Sequence, residues 1–237
     1  VTISDSVTSI GDGAFLACAG LVNFYVDAQN SYYTAVEGIL LNKDRTILIC
    51  YPAGKSNACY NILDNVTSIE DFAFYGCLKL KSISIPESVL CIGGSAFSQS
   101  GLTSVLIPSS VNDIGETAFW NCKDLTKVLI SNGVQRIGES AFRFCGNLTN
   151  ITIPSSVTSI GDGALGACSK LSEITIDPDN LCYTSIDGVL FNKRKTSLLC
   201  FPAGKQCTYY NIPASVSNIG DGAFWNCNCL ESVAVPD

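Results

Sequence analysis

A short internal period constrains this chain more than any other feature. The pair Ile-Gly, or a close variant, recurs with Ile at positions 10, 69, 92, 114, 137, 160 and 219, spaced by 22 or 23 residues in the middle and by 59 at either side. Aligned on that Ile, a Val stands three residues earlier in every unit (Val7, Val66, Val89, Val111, Val134, Val157, Val216). An Ala stands four residues later (Ala14, Ala73, Ala96, Ala118, Ala141, Ala164, Ala223). An aromatic column follows at Phe15, Phe74, Phe97, Phe119, Phe142 and Phe224, with Leu165 as its one substitute. Three residues on lies a cysteine column of Cys18, Cys77, Cys122, Cys145, Cys168 and Cys227, with Ser100 as the exception. A unit this short cannot bury its own apolar side, so the copies are expected to stack around one shared core.

Between the cysteine and the next Val runs Leu-x-x-Ile-x-Ile, as in Leu80/Ile83/Ile85, Leu102/Val105/Ile107, Leu125/Val128/Ile130, Leu148/Ile151/Ile153 and Leu171/Ile174/Ile176. Its alternation predicts a half-buried strand. Pro86, Pro108 and Pro154 follow at once, where a missing amide ends the ladder. The remaining Ser-Val-x-x-Ile-Gly-x-x-Ala-Phe segment is too short for a long helix, and a turn with one or two turns of 3₁₀ or α structure is expected there. Gly11, Gly93, Gly115, Gly138, Gly161 and Gly220 mark a tight bend, and Glu70 in the same column says that a positive φ is not required.

The two long units match one another at an offset of 150 residues. Tyr33-Thr34-Ala35-Val36-Glu37-Gly38-Ile39-Leu40-Leu41-Asn42-Lys43 corresponds to Tyr183-Thr184-Ser185-Ile186-Asp187-Gly188-Val189-Leu190-Phe191-Asn192-Lys193, and Pro52-Ala53-Gly54-Lys55 to Pro202-Ala203-Gly204-Lys205. Their extra strand-like pieces read as degenerate coils. The expectation is a single solenoid domain over 1–237, with regular 22–23-residue coils at about 69–171 and 59-residue units at about 10–69 and 160–219.

Residues 80–102 and 148–171 read Leu-x-x-Ile-x-Ile-Pro-x-Ser-Val-x-x-Ile-Gly-x-x-Ala-Phe-x-x-Cys, save for Ser100 in the Cys place and Leu165 in the Phe place. This pattern resembles the BspA-type leucine-rich repeat, and the resemblance covers almost the whole chain. It implies an α/β solenoid of the leucine-rich-repeat kind, right-handed, with short parallel strands on the concave face and turns and short 3₁₀ or α segments on the convex face. It further implies a secreted or surface-displayed protein of a bacterium or a parasitic protist, in a family some of whose members are adhesins for host matrix or plasma proteins.

Of the 13 cysteines, six hold the core column and read as small buried hydrophobes. Cys50 and Cys200, equivalent across the offset, are expected in the core as well. Candidates for a disulfide are the other off-column residues Cys59, Cys91, Cys182, Cys207 and Cys229, and the odd total leaves at least one thiol unpaired or bonded between molecules. A zinc site would need a second Cys pair or a His beside Cys227-Asn228-Cys229; the chain has no His, so no metal is expected.

Without His, Ser-His-Asp and Cys-His machinery is impossible from this chain alone, and carboxylates repeated at Asp12, Asp162 and Asp221 or Glu116 and Glu139 read as solvated turn chemistry. Ala53-Gly54-Lys55 lacks the glycines and hydroxyl of a phosphate loop. No enzyme activity and no cofactor are expected. A net charge of −7 with scattered basic residues excludes nucleic acid, and no apolar run is long enough to insert into a membrane as a helix. Methionine is absent even at position 1, so the chain is expected to be a processed or excised piece from which targeting or anchor segments are missing.

What remains is binding by the strand face. Its outward positions are Tyr25, Ser82, Ser84, Ser104, Leu106, Lys127, Leu129, Asn150, Thr152, Glu173 and Thr175, with Tyr25, Leu106, Lys127 and Leu129 as the large anchors. Leu16, Tyr75, Trp120 and Trp225, one place past the aromatic column, form either a second patch or part of the fold's own outer packing. Asn65, Asn147 and Asn150 begin Asn-x-Thr sequons, and a glycan on Asn150 would oppose docking across the face. The leading expectation is an extracellular module, preferably monomeric, that binds a protein of the host matrix, plasma or a neighbouring cell. A surface spacer without a tight ligand and an intracellular scaffold rich in free thiols stand as alternatives.

Overall fold

The computed structural model describes residues 1–236, and they form a β-solenoid of short strands and turns with no helix among the described residues. The expected α/β solenoid with 3₁₀ or α segments on its convex face is thereby corrected. Each Gly-x-x-Ala-Phe-x-x-Cys segment carries two residues, four apart, in the left-handed region. They are Gly13 and Ala17, Phe72 and Gly76, Ser95 and Gln99, Thr117 and Asn121, Ser140 and Phe144, Gly163 and Ala167, and Gly222 and Asn226, with φ between 52° and 67°. A left-handed residue ends a right-handed helix within one turn. It also divides the amides between two destinations. Ala73, Tyr75 and Cys77 donate to the carbonyls three residues back, whereas Phe72, Phe74 and Gly76 donate to Gly94, Ala96 and Ser98 of the next coil. A helix would have kept all of those amides inside its own segment.

Two rows of parallel strands complete each coil. The longer row holds the alternating runs and pairs two by two: Cys59–Asn61 with Ser82–Ser84, Ser104–Ile107 with Lys127–Ile130, Asn150–Ile153 with Glu173–Ile176, and Tyr209–Asn211 with Ser232–Ala234. The second row consists of two-residue strands ending in the period-marking Ile, such as Cys91–Ile92, Asp113–Ile114 and Arg136–Ile137, each paired with its neighbour in register.

Between the rows the columns become rows of contacting side chains. Phe74, Phe97, Phe119 and Phe142 stack with ring centroids 4.8, 5.0 and 5.2 Å apart, near the spacing of neighbouring strands. Each such pair adds about 0.5–1.5 kcal/mol beyond the area it buries. Cys77, Cys122, Cys145 and Cys168 are buried beside them. The Cys122, Cys145 and Cys168 thiols donate to the carbonyls of Phe97, Phe119 and Phe142 at 3.0–3.1 Å. A cysteine here therefore fills space as leucine would and also meets a turn carbonyl. At the ends the column opens: Cys18 is exposed and Cys227 half-buried. All 13 cysteines are free thiols.

The glycine column has a different cause from the expected bend. A β-carbon on Gly93, Gly115, Gly138 or Gly161 would lie 2.4–2.6 Å from backbone atoms of the preceding coil. These glycines permit close approach between coils.

The long units are not degenerate coils. Each inserts an antiparallel hairpin, Tyr33–Val36 with Ile39–Asn42 and Tyr183–Ile186 with Val189–Asn192, followed by a third strand, Ile47–Cys50 or Ser197–Cys200, that rejoins the second row. The two-residue loops Glu37-Gly38 and Asp187-Gly188 have positive φ at both positions, the type I′ geometry that matches strand twist. A buried asparagine fastens each insertion. Asn180 Nδ2 donates to the carbonyls of Pro154 and Val157, both at 2.9 Å, while its Oδ1 accepts the amides of Cys182 and Tyr183 at 2.9 and 2.8 Å. Asn30 does the same with Ser4, Val7, Tyr32 and Tyr33. The Tyr33 and Tyr183 hydroxyls accept the Ile10 and Ile160 amides, which face the next coil.

Candidate functional site

Alternation puts every second side chain of the longer strand row outward, and pairing sets those side chains in ranks. Ser104 lies opposite Lys127 and Leu106 opposite Leu129. Asn150 lies opposite Glu173 and Thr152 opposite Thr175. Ser82 and Ser84 pair with Cys59 and Asn61. Leu106 and Leu129 are 55% and 48% exposed, although apolar and adjacent, so the fold leaves an apolar step in the middle of a polar array. Ser84, Ser104, Lys127, Asn150, Thr152, Glu173 and Thr175 are exposed as well, and Ser82 is half-buried. Tyr25 is exposed too, but it belongs to a separate pair, Thr2–Ile3 with Tyr25–Val26, set apart from the other ranks by the first hairpin. The structure thus brings ten of the eleven expected residues together.

Reasoning from the sequence missed the wall at one end of this array. The tip of the second hairpin turns back over the last strand, where the Ile174 amide donates to the Gly188 carbonyl at 3.0 Å. Hairpin and strand enclose an open polar cleft of about 620 Å³ that includes Glu173, Thr175, Asp177, Asp187, Lys193 and Lys205. Lys205 Nζ donates to the Asp187 carbonyl at 2.6 Å, and Lys193 Nζ to that of Asn180. Both ammonium groups are held by backbone, so the cleft carries fixed charges of both signs. The dipeptide Asp187-Gly188 between two apolar runs is the signal that could have disclosed it.

Cys50 and Cys168 are shielded thiols. Burial pushes the Cys168 thiol up to about 12 and, with a smaller contribution from Cys18, the Cys50 thiol up to about 12. These sulfurs stay protonated and poorly nucleophilic near neutral pH. Among the described residues no group of three or more His, Cys, Asp or Glu could hold a metal ion. No helix there is long and apolar enough to cross a membrane. Of the four outer residues one place past the aromatic column, Tyr75 and Trp120 are half-buried in the turns, Leu16 is exposed, and Trp225 lies over the Arg143 guanidinium at 3.3 Å.

Among curated proteins none matches the chain. Several solved structures share its fold. The Pneumococcal vaccine antigen PcpA superposes with a TM-score of 0.75 at 22% identity, over 86% of this chain and 59% of that one. A leucine rich cell surface protein from Faecalibacterium prausnitzii gives 0.60 at 26% identity, over 86% and 68%. A T. pallidum leucine rich repeat protein gives 0.56 at 24%, over 89% and 82%. The chain thus spans little more than half the length of the pneumococcal antigen it matches. The profile described as "BspA type Leucine rich repeat region" matches six copies at residues 1–37, 55–172 and 194–237, and the gaps fall on the two hairpin regions. With most of its length so matched and its coils stacked as described, the chain belongs to the BspA-type leucine-rich repeat family.

Proposed function

We propose that the chain is a non-catalytic, extracellular protein-binding module, acting as one solenoid, that adheres to a protein of the host matrix, plasma or a neighbouring cell through its longer strand row. The observation that carries this reading is the exposed Leu106–Leu129 step with Lys127 beside it, set in a rigid array and closed off by the polar cleft at the second hairpin. An apolar anchor within a polar surround is the arrangement in which a few contacts dominate affinity. The likeness to a protein described as a leucine rich cell surface protein supports the location.

The test is binding of the folded chain to a panel of purified extracellular-matrix and plasma proteins. One or more should be retained, and Leu106→Lys with Leu129→Lys should weaken retention at least about tenfold, the equivalent of roughly 1.4 kcal/mol. Retention unchanged in that double variant sinks the site; no retention by any member sinks the adhesion reading. The small side chains of Ser82, Ser84, Ser104, Thr152 and Thr175 favour a second reading, a surface spacer without its own ligand. Failure with the whole panel is the outcome that reading expects.

A further inference from the structure

The first long unit encloses a cavity of about 240 Å³ that shares no residue with the strand face. Its walls are apolar: Phe15, Leu16, Ile49, Phe72 and Tyr75 line it. Asp12, Glu70 and Asp71 line it too; Asp12 and Asp71 are exposed, which places them at the opening. No Lys or Arg is part of the lining, and the ion pairs among the described residues, Lys81 with Asp124 and Arg136 with Asp113, lie elsewhere. Asp71 accepts the Gly94 amide at 2.6 Å, so one of the three carboxylates is fixed by the backbone of the next coil.

The position of Glu70 adds independent weight. It stands in the column where regular coils carry glycine because a β-carbon would strike the coil before it. After the first hairpin that stack is broken, and a long side chain becomes possible. At the equivalent place after the second hairpin Gly220 also has room, since a β-carbon there would meet nothing nearer than 3.4 Å, yet it remains glycine. The matching cavity beside Gly220 has shrunk to about 20 Å³. Room to depart from glycine exists at three places in the column, Gly11, Glu70 and Gly220, and the one carboxylate among them lines the open cavity.

We propose that this cavity binds a small organic cation, an apolar or aromatic stem ending in a primary ammonium or amidinium group. The stem lies against Phe15, Phe72 and Tyr75, and the charged head sits among Glu70, Asp12 and Asp71. A volume below the roughly 300–1,000 Å³ of drug-sized sites limits the occupant to fragment size. Burial raises the Glu70 carboxyl above its ordinary range, and the charges of Asp12 and then Asp71 raise it further. A bound cation relieves that repulsion.

The test is calorimetric titration of the whole chain with 2-phenylethylamine at neutral pH and low salt, beside 2-phenylethanol and 3-phenylpropionate. The amine should saturate one site, the alcohol should bind at least about tenfold more weakly, and the carboxylate should not bind, as charge complementarity requires. Glu70→Gln and Asp12→Asn should each weaken the amine, by about tenfold for Glu70→Gln, with an unchanged circular dichroism spectrum and no fall in Tm in the absence of amine. Equal binding of amine and alcohol, no loss in either variant, or no saturation overturns the proposal. Saturation by a capped Lys or Arg peptide but not by the free amine also overturns it, assigning the cavity to a partner's side chain.

Discussion

The two hairpin-bearing units differ in their outer turns while sharing one method of attachment. Both are fastened by a buried asparagine and a tyrosine hydroxyl, and both send a third strand back into the second row. Around the first, Leu16, Glu70, Phe72 and Tyr75 surround open space. At the same places around the second stand Gly166, Gly220, Gly222 and Trp225. The Trp225 indole fills that region, lying within 3.2 Å of a β-carbon built on Gly163 or Gly166 and over Arg143. The attachment is common because an insertion must satisfy the amides it uncovers.

The largest effect is expected from the shared attachment. Asn180→Ala leaves the Cys182 and Tyr183 amides and the Val157 carbonyl without partners and should cost about 3 kcal/mol in urea unfolding, within the range for several buried bonds lost together. Asn30→Ala should be of similar size; if either is neutral, the insertions are not held as described. Next comes the glycine column. Gly138→Ala would place a β-carbon 2.6 Å from the Glu116 amide and should destabilise by about 2 kcal/mol. Gly220→Ala should stay within about 0.5 kcal/mol, and equal costs would remove the distinction between stacked and interrupted coils.

Trp225→Ala should cost about 1 kcal/mol through the lost cation–π contact and should make the second region resemble the first by opening it to solvent, visible as faster hydrogen exchange at residues 163–166. The smallest effect concerns pH. The Glu70 carboxyl titrates above its unfolded value, so the folded state holds that proton more tightly. Its contribution favours folding below the unfolded carboxylate range and is lost as pH rises through the higher folded value. Glu70→Gln should flatten that part of the stability profile, and Gly220→Ala should leave it unchanged.

Much of the core could be read from the sequence because a solenoid turns columns into rows. The Val, Ala, Phe and Cys positions of the regular coils are buried where the period put them, and Val105 and Ile107 form the inner side of a strand with Leu102 buried just ahead of it. Helix content could not be read in the same way. Thr117, Asn121 and Phe144 adopt positive φ although none is glycine, because the inter-coil amide bonds reward that geometry and no local propensity records it. The second row escaped notice since two residues carry no alternation. The hairpins were legible in Asp187-Gly188, but similarity to the coil pattern hid them.

For the site, exposure of the outward ranks followed from alternation, whereas separation of Tyr25 and addition of Asp187, Lys193 and Lys205 depended on where a hairpin folds back. Glu70 was visible as a departure from glycine, but its meaning required the distances between coils.

In the proposed mode of binding the longer strand row is the surface that meets a protein partner. The direct measurement is the affinity of a matrix or plasma protein retained by the chain for three forms: the native sequence, Leu106→Lys with Leu129→Lys, and Lys123→Glu with Lys170→Glu as changes at exposed turn positions. Loss of at least about tenfold in the leucine variant and less than about twofold in the lysine variant is the predicted result. A partner that binds the leucine variant as well as the native chain, and lets go of the lysine variant, would contradict it.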